Sequence, residues 1–178
     1  MVRMSVAALL LMVVSVPAFA QDDYPRVEMS IGYSNIGFNG IPQLTCLPGQ
    51  CKSTRHSGFT STQGFNFKSW LGVENMLGYY GLGNNLSMLS NTFGLKAAFR
   101  GGGPITPYGV AGLGGGSLFS ERSGGGAGGF NTRLGVGFEY GAADGMRFRV
   151  DASRMGAKYF DVSQTSFALS FGVAFSIM

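Results

Sequence analysis

Residues 164–178 place a bulky apolar side chain at every second position: Phe167, Leu169, Phe171, Val173, Phe175 and Ile177. Ser166, Ala168, Ser170, Gly172, Ala174 and Ser176 fill the positions between. Successive side chains of a strand point to opposite faces, so this segment has one bulky apolar face and one small, polar face. It is long enough to cross a bilayer, for which a tilted strand needs about 9–11 residues. A core strand of a soluble sheet shows the same pattern, so the rest of the chain has to decide.

The same parity recurs upstream, and the chain reads as eight strands. The first, over 26–38, sets Val27, Met29, Ile31 and Tyr33 against Glu28, Ser30, Gly32 and Ser34. The second, over 58–66, is marked by Phe59 and Phe65, and the third, over 70–80, by Leu71, Val73, Leu77 and Tyr79. The fourth, over 89–100, sets Leu89, Phe93, Leu95, Ala97 and Phe99 against Thr92, Gly94, Lys96 and Arg100. The fifth, over 105–119, begins with Tyr108 and Val110 and then loses parity through the glycines around Gly114, where a bulge or bend is expected. The sixth, over 130–141, alternates Phe130, Leu134, Val136, Phe138 and Tyr140 with Asn131, Arg133, Gly135, Gly137 and Glu139. The seventh, over 146–154, sets Met146, Phe148 and Val150 against Arg147, Arg149 and Asp151.

Composition narrows the class. Charged residues make up only 12% of the chain, and after the first twenty residues no apolar run approaches the ~18 residues that a membrane helix needs. Aromatics at 13% argue against disorder. The excess of basic residues is scattered singly, which gives nucleic-acid binding no support. Residues 1–20 have the form of a cleaved signal peptide: Arg3, a mostly apolar stretch over 6–16, then Pro17-Ala18-Phe19-Ala20 before the polar Gln21-Asp22-Asp23. The single domain is therefore expected over 21–178. Cys46 and Cys51, the only cysteines, flank a Leu47-Pro48-Gly49-Gln50 turn, and in an exported chain they read as a disulfide. The alternative is a pair of free thiols. A metal site lacks donors, since only His56 is near.

The connections carry further information. Links at 67–69, 101–104 and 142–144 are short, whereas those at 37–57, 81–88, 120–129 and 155–163 are longer. In an up-and-down meander, strict alternation puts the short turns at one end and the longer loops at the other, the layout of a transmembrane barrel with both termini at the short-turn end.

From residue 26 onward the chain resembles the small eight-stranded outer-membrane barrels, the OmpA-like transmembrane domain superfamily. The resemblance rests on Gly58-Phe59 with Gly64-Phe65-Asn66, on Trp70-Leu71-Gly72-Val73, on Thr106-Pro107-Tyr108-Gly109 and on the alternating last strand. It implies an all-β, eight-stranded antiparallel up-and-down transmembrane barrel in the cell outer membrane, surrounded by outer-membrane lipid and lipopolysaccharide. It also implies recognition of the last strand by the barrel assembly machinery. That signal usually ends on an aromatic residue; here Phe175 or Ile177 would serve. No second, peptidoglycan-binding domain is recognisable, and a monomer is expected.

The face opposite the aromatics carries Glu28, Glu74, Lys96, Arg100, Arg133, Glu139, Arg147, Arg149 and Asp151. A hairpin centred on Ala143 would set Glu139 opposite Arg147 and Arg133 diagonally from Asp151. Opposite charges at matching positions suit a closed polar interior, where charges must pair. Tyr140, Phe175 and a facing Phe99–Tyr108 pair would form an aromatic girdle at the short-turn end. Tyr33, Tyr79, Phe130 and Phe167 would form another at the loop end. By parity Trp70 falls inward.

Catalytic chemistry finds little footing. His56 and Ser57 are adjacent, so in extended backbone they point apart. Residues 124–129, almost all glycine, lack the Lys and the following helix of a phosphate loop and read as a flexible outer loop. The expectation is a barrel with no enzymatic activity, cofactor or general porin conductance, acting structurally or through surface loops, of which 37–57 is the longest. The alternatives are a lipid-modifying enzyme in the same fold and a soluble, lipocalin-like carrier. The direction of the aromatic face discriminates the last.

Overall fold

The computed structural model describes residues 24–39, 53–83, 86–101, 103–120, 126–143, 145–159 and 162–177. The segment 1–20 and the Cys46–Cys51 pair lie outside the described residues. The strands are β1 (Val27–Asn39), β2 (Ser53–Lys68), β3 (Leu71–Gly83), β4 (Leu86–Ala98), β5 (Ile105–Ser120), β6 (Gly126–Ala143), β7 (Met146–Tyr159) and β8 (Val162–Ile177). Each pairs antiparallel with its neighbours in sequence, and β8 pairs with β1, closing the barrel. Closure leaves no sheet edge, which a strand in lipid cannot tolerate.

The aromatic face points outward. Phe59, Phe93, Phe130, Phe167 and Phe171 are exposed, as are Leu134 and Val136. Among the described residues the acidic side chains point inward and are buried, as are Lys96, Arg133 and Arg149, while Arg100 and Arg147 point inward half-buried. This arrangement is the inverse of a soluble lipocalin-like barrel, and that alternative falls. Tyr33, Tyr79, Phe130 and Phe167 lie toward one end of the barrel and Tyr140 and Phe175 toward the other, all exposed. The outward face is not wholly apolar: Gln63 and Asn75 face each other in register, with Asn91 on the next strand.

Several local expectations are corrected. The strands are longer than their apolar alternation. The two strands of β3–β4 continue to Gly83↔Leu86, and β6 begins at Gly126, so the 81–88 and 120–129 loops shrink to 84–85 and 121–125. Gly126–Gly129 therefore belongs to a strand rather than a flexible loop. Polar and glycine-rich residues carry these extensions, which have no need of an apolar face. Only the 40–52 connection is long.

Tyr108 pairs with Ala98, and Phe99 donates its N–H to the Pro107 carbonyl (2.8 Å). The Phe99–Tyr108 pairing is thus off by one residue. A one-residue shift reverses the face, so Phe99 is 78% exposed and Tyr108 only 4%. β5 keeps its parity throughout, with no register break against β4 or β6 where a bulge was expected. Trp70 lies in the β2–β3 turn and is exposed, beside Lys68, whose Nζ is 5.7 Å from the ring centroid.

In β6–β7, Ala143 pairs with Met146, leaving a two-residue connection that ends on Gly145 at φ +75°. A register irregularity between Gly141 and Ala143 follows, so Glu139 lies opposite Arg149 rather than Arg147, and Asp151 lies opposite Gly137.

Candidate functional site

The lumen is built in two layers from the inward positions. Toward the short-turn end sits a network of all nine expected charges. Glu74 of β3 is its centre. The Arg149 guanidinium donates to both its oxygens (2.8 and 3.0 Å), and Arg133 donates to one of them at 2.9 Å. The Lys96 ammonium bridges Glu28 and Glu139 at 2.8 Å each and lies 3.9 Å from Glu74. Arg100 donates to the second oxygen of Glu28 (2.9 Å) and to the Ser69 carbonyl. Arg133 also reaches Asp151 at 2.9 Å, and Arg147 reaches Glu139 at 3.3 Å. Both contacts anticipated from the sequence therefore form, although the register behind them differs. Long guanidinium side chains span the offset.

Five cations thus meet four carboxylates, and Lys96 and Glu139 are each only 1% exposed. Charges this far from water persist only when paired and hydrogen-bonded. Residues without charge complete the network. The Tyr108 hydroxyl donates to Asp151 at 3.1 Å, and its ring lies under Lys96 (4.8 Å) and Arg149 (4.5 Å). Arg133 donates through Nε to Ser153 (3.2 Å), and the Ser153 hydroxyl donates to Asp151. Thr62 accepts from Arg149 at 3.3 Å and shares a hydrogen bond with Ser30 at 2.6 Å. The hole that Tyr108 fills is Gly137: a Cβ there would lie 2.5 Å from the phenol carbon. The sequence carries this signal in the pairing of a large inward residue with an inward glycine, but apolar alternation alone turns Tyr108 outward.

The second layer was not anticipated. Above the charges, toward the loop end, the lumen is mainly apolar, filled by Ile36, Met76, Tyr80, Leu82, Leu86, Met88, Leu118 and Met155, with Ser90, Asn131, Gln164 and Ser166 buried among them. Tyr80 is fully buried, and its ring covers Gly58 and Gly78. Parity alone identifies these residues, since Met76 and Tyr80 share a face with Glu74, and Ile36 with Glu28. What remains of the lumen is small. A cavity of about 20 Å³ lies among Ser30, Thr62, Arg149 and Ser170, and one of about 10 Å³ among Ile36, Met88 and Met155. The first has room for roughly one water.

Neither a metal centre nor a nucleophile–base pair is assembled among the described residues. No group of three His, Cys, Asp or Glu side chains among them is placed to hold a metal ion. His56 and Ser57 lie on opposite faces of β2: the Ser57 hydroxyl meets the Tyr33 phenol on the outer wall (2.5 Å), and Nε2 of His56 meets the Thr54 hydroxyl (2.6 Å).

A lipid-facing aromatic wall around a paired-charge lumen, closed by eight meandering strands, matches a known sequence family. The model of the outer membrane protein beta-barrel domain matches residues 6–175. The chain belongs to that family. Solved structures agree on the fold. Neisserial surface protein A matches with a TM-score of 0.65 at 13% identity, over 85% of this chain and 96% of that one. The outer membrane protein OprG of Pseudomonas aeruginosa matches at 0.58 and 14%, over 86% and 96%. Ail, the attachment invasion locus protein of Yersinia pestis, matches at 0.52 and 19%, over 85% and 99%. No curated protein matches this sequence. At these identities the likeness to the solved structures concerns the fold.

Proposed function

We propose that this outer-membrane barrel is a sealed, non-enzymatic monomer that acts structurally and through its surface loops. It would be exported by its first twenty residues and inserted by the assembly machinery acting on β8. The loop end would face the environment, and the 40–52 connection, the longest, is the candidate contact segment. The observation that carries this reading is the closed lumen. An ion crossing it would have to displace Lys96 from two carboxylates and then pass the apolar layer at Tyr80 and Leu118. Eight-stranded barrels are filled by side chains, and nothing here departs from that rule. Planar-bilayer recording tests the proposal directly: the purified, folded protein should give no stable conductance steps. Large, long-lived openings at neutral pH would overturn it.

A further inference from the structure

The acidic residues described in the barrel, Glu28, Glu74, Glu139 and Asp151, all point inward. Arg154 and Lys158 of β7 point outward and are exposed, and neither has an ion-pair partner among the described residues. Asp161, in the β7–β8 turn, lies outside them. Cations on a lipid-facing wall are expensive unless they meet headgroups or counter-charges. Arg154 lies in register between Leu134 and Phe167, and Lys158 between Phe130 and Ser163. Phe130 and Phe167 belong to the loop-end girdle, so both cations stand at headgroup height. Gly156 lies midway between them, flanked by Thr132 and Thr165.

The wall beside these residues is hollow. The inward positions Gly94, Gly112 and Gly114 have no side chains to prop it, and β4 and β5 approach so closely that a Cβ on Gly94 or Gly114 would overlap the Ala111 or Asn91 carbonyl. β4 and β6 come within contact of one another across β5. A groove of about 600 Å³ opens on the outer side, with Phe93, Leu95, Leu113 and Leu134 as its apolar floor and Arg154, Thr132 and Thr165 at its rim.

We propose that this groove binds the phosphorylated, multiply acylated glycolipid of the outer leaflet. Acyl chains would lie over the apolar floor, and Arg154 and Lys158 would hold the phosphates with the two threonine hydroxyls beside them. Four strand residues separate the cations, about 13 Å along the backbone. That span exceeds one phosphate group and suits a sugar headgroup phosphorylated at both ends, and the groove has room for part of its acyl chains. The inference rests on the outer-membrane reading and on the loop end lying in the outer leaflet.

Native mass spectrometry of the folded protein in a mild detergent tests it, with diphosphoryl lipid A, its dephosphorylated form and phosphatidylglycerol as probes. Wild type should retain one diphosphoryl lipid A. R154Q combined with K158Q should weaken retention on the order of a hundredfold, about tenfold for each charge-assisted contact. The charge-conserving R154K/K158R pair should keep most of it, and R55Q, which removes an outward cation elsewhere, should change nothing. Equal retention by R154Q/K158Q, or retention of phosphatidylglycerol as strong as that of lipid A, would overturn the proposal. SDS resistance of the same unboiled samples separates the two failures: a resistant protein without lipid selectivity loses only the site, and a non-resistant wild type loses the barrel reading.

Discussion

Glu74 shows how much one side chain carries. Its two oxygens receive Arg133 and both terminal nitrogens of Arg149, with Lys96 nearby. Removing one partner of a buried ion pair leaves an uncompensated charge, and this costs more than the pair contributes when intact. Glu74→Ala should therefore destabilise the barrel by about 3–5 kcal/mol, and adding Arg149→Ala should return part of that loss. Urea titration of the protein folded in phospholipid vesicles measures both. A double variant no better than the sum of the singles would show that the pair does not exist. The presence of such pairs was legible in the sequence because inward parity collected nine charges of both signs. Their partners were not. Lys96 bridges three carboxylates from three other strands, and cross-strand arithmetic on one hairpin cannot see that. The inward direction of Tyr108 is hidden in the sequence for a related reason. A tyrosine beside apolar Val110 looks like a girdle residue, until Gly137 opposite it is recognised as the space for its ring.

At the level of elements, all eight strands were legible and their ends were not. Apolar alternation reports only the part of a strand that touches lipid. Ser53 to Ser57 and Gly126 to Gly129 continue strands beyond it with polar and glycine residues. The β6–β7 turn was readable in principle, although the irregularity between Gly141 and Ala143 that sets Glu139 opposite Arg149 was not. Asp144-Gly145 is the dipeptide that a two-residue hairpin favours, and taking it as the turn brings Ala143 opposite Met146 as observed. Gly145 holds φ +75°, a region that costs a residue with a Cβ roughly 1–2 kcal/mol. Gly145→Ala should lower the unfolding free energy by about that amount, read as a lower urea midpoint at an unchanged denaturant slope, since the folded surface is unaltered. An unchanged midpoint would mean that the turn relaxes into another conformation and that the register it sets is not fixed there.

Taken as a whole, the molecule separates two environments by side-chain parity. One face of each strand meets lipid, and the other builds a plug that is ionic toward the termini and apolar toward the loop end. The apolar layer excludes water from the mouth of the lumen, and the ion pairs lock strands that are distant in sequence. β1, β3, β4, β6 and β7 all contribute to one network. Such a barrel should resist unfolding as a unit, because no strand can leave without exposing paired charges and unpaired backbone to lipid. The most direct measurement is electrophoretic mobility of the protein from an isolated outer-membrane fraction, with and without boiling. The unboiled protein should stay folded in SDS and run at a different position from the boiled form. A single band at one position in both lanes, with the protein recovered in the soluble fraction, would contradict a membrane-spanning barrel.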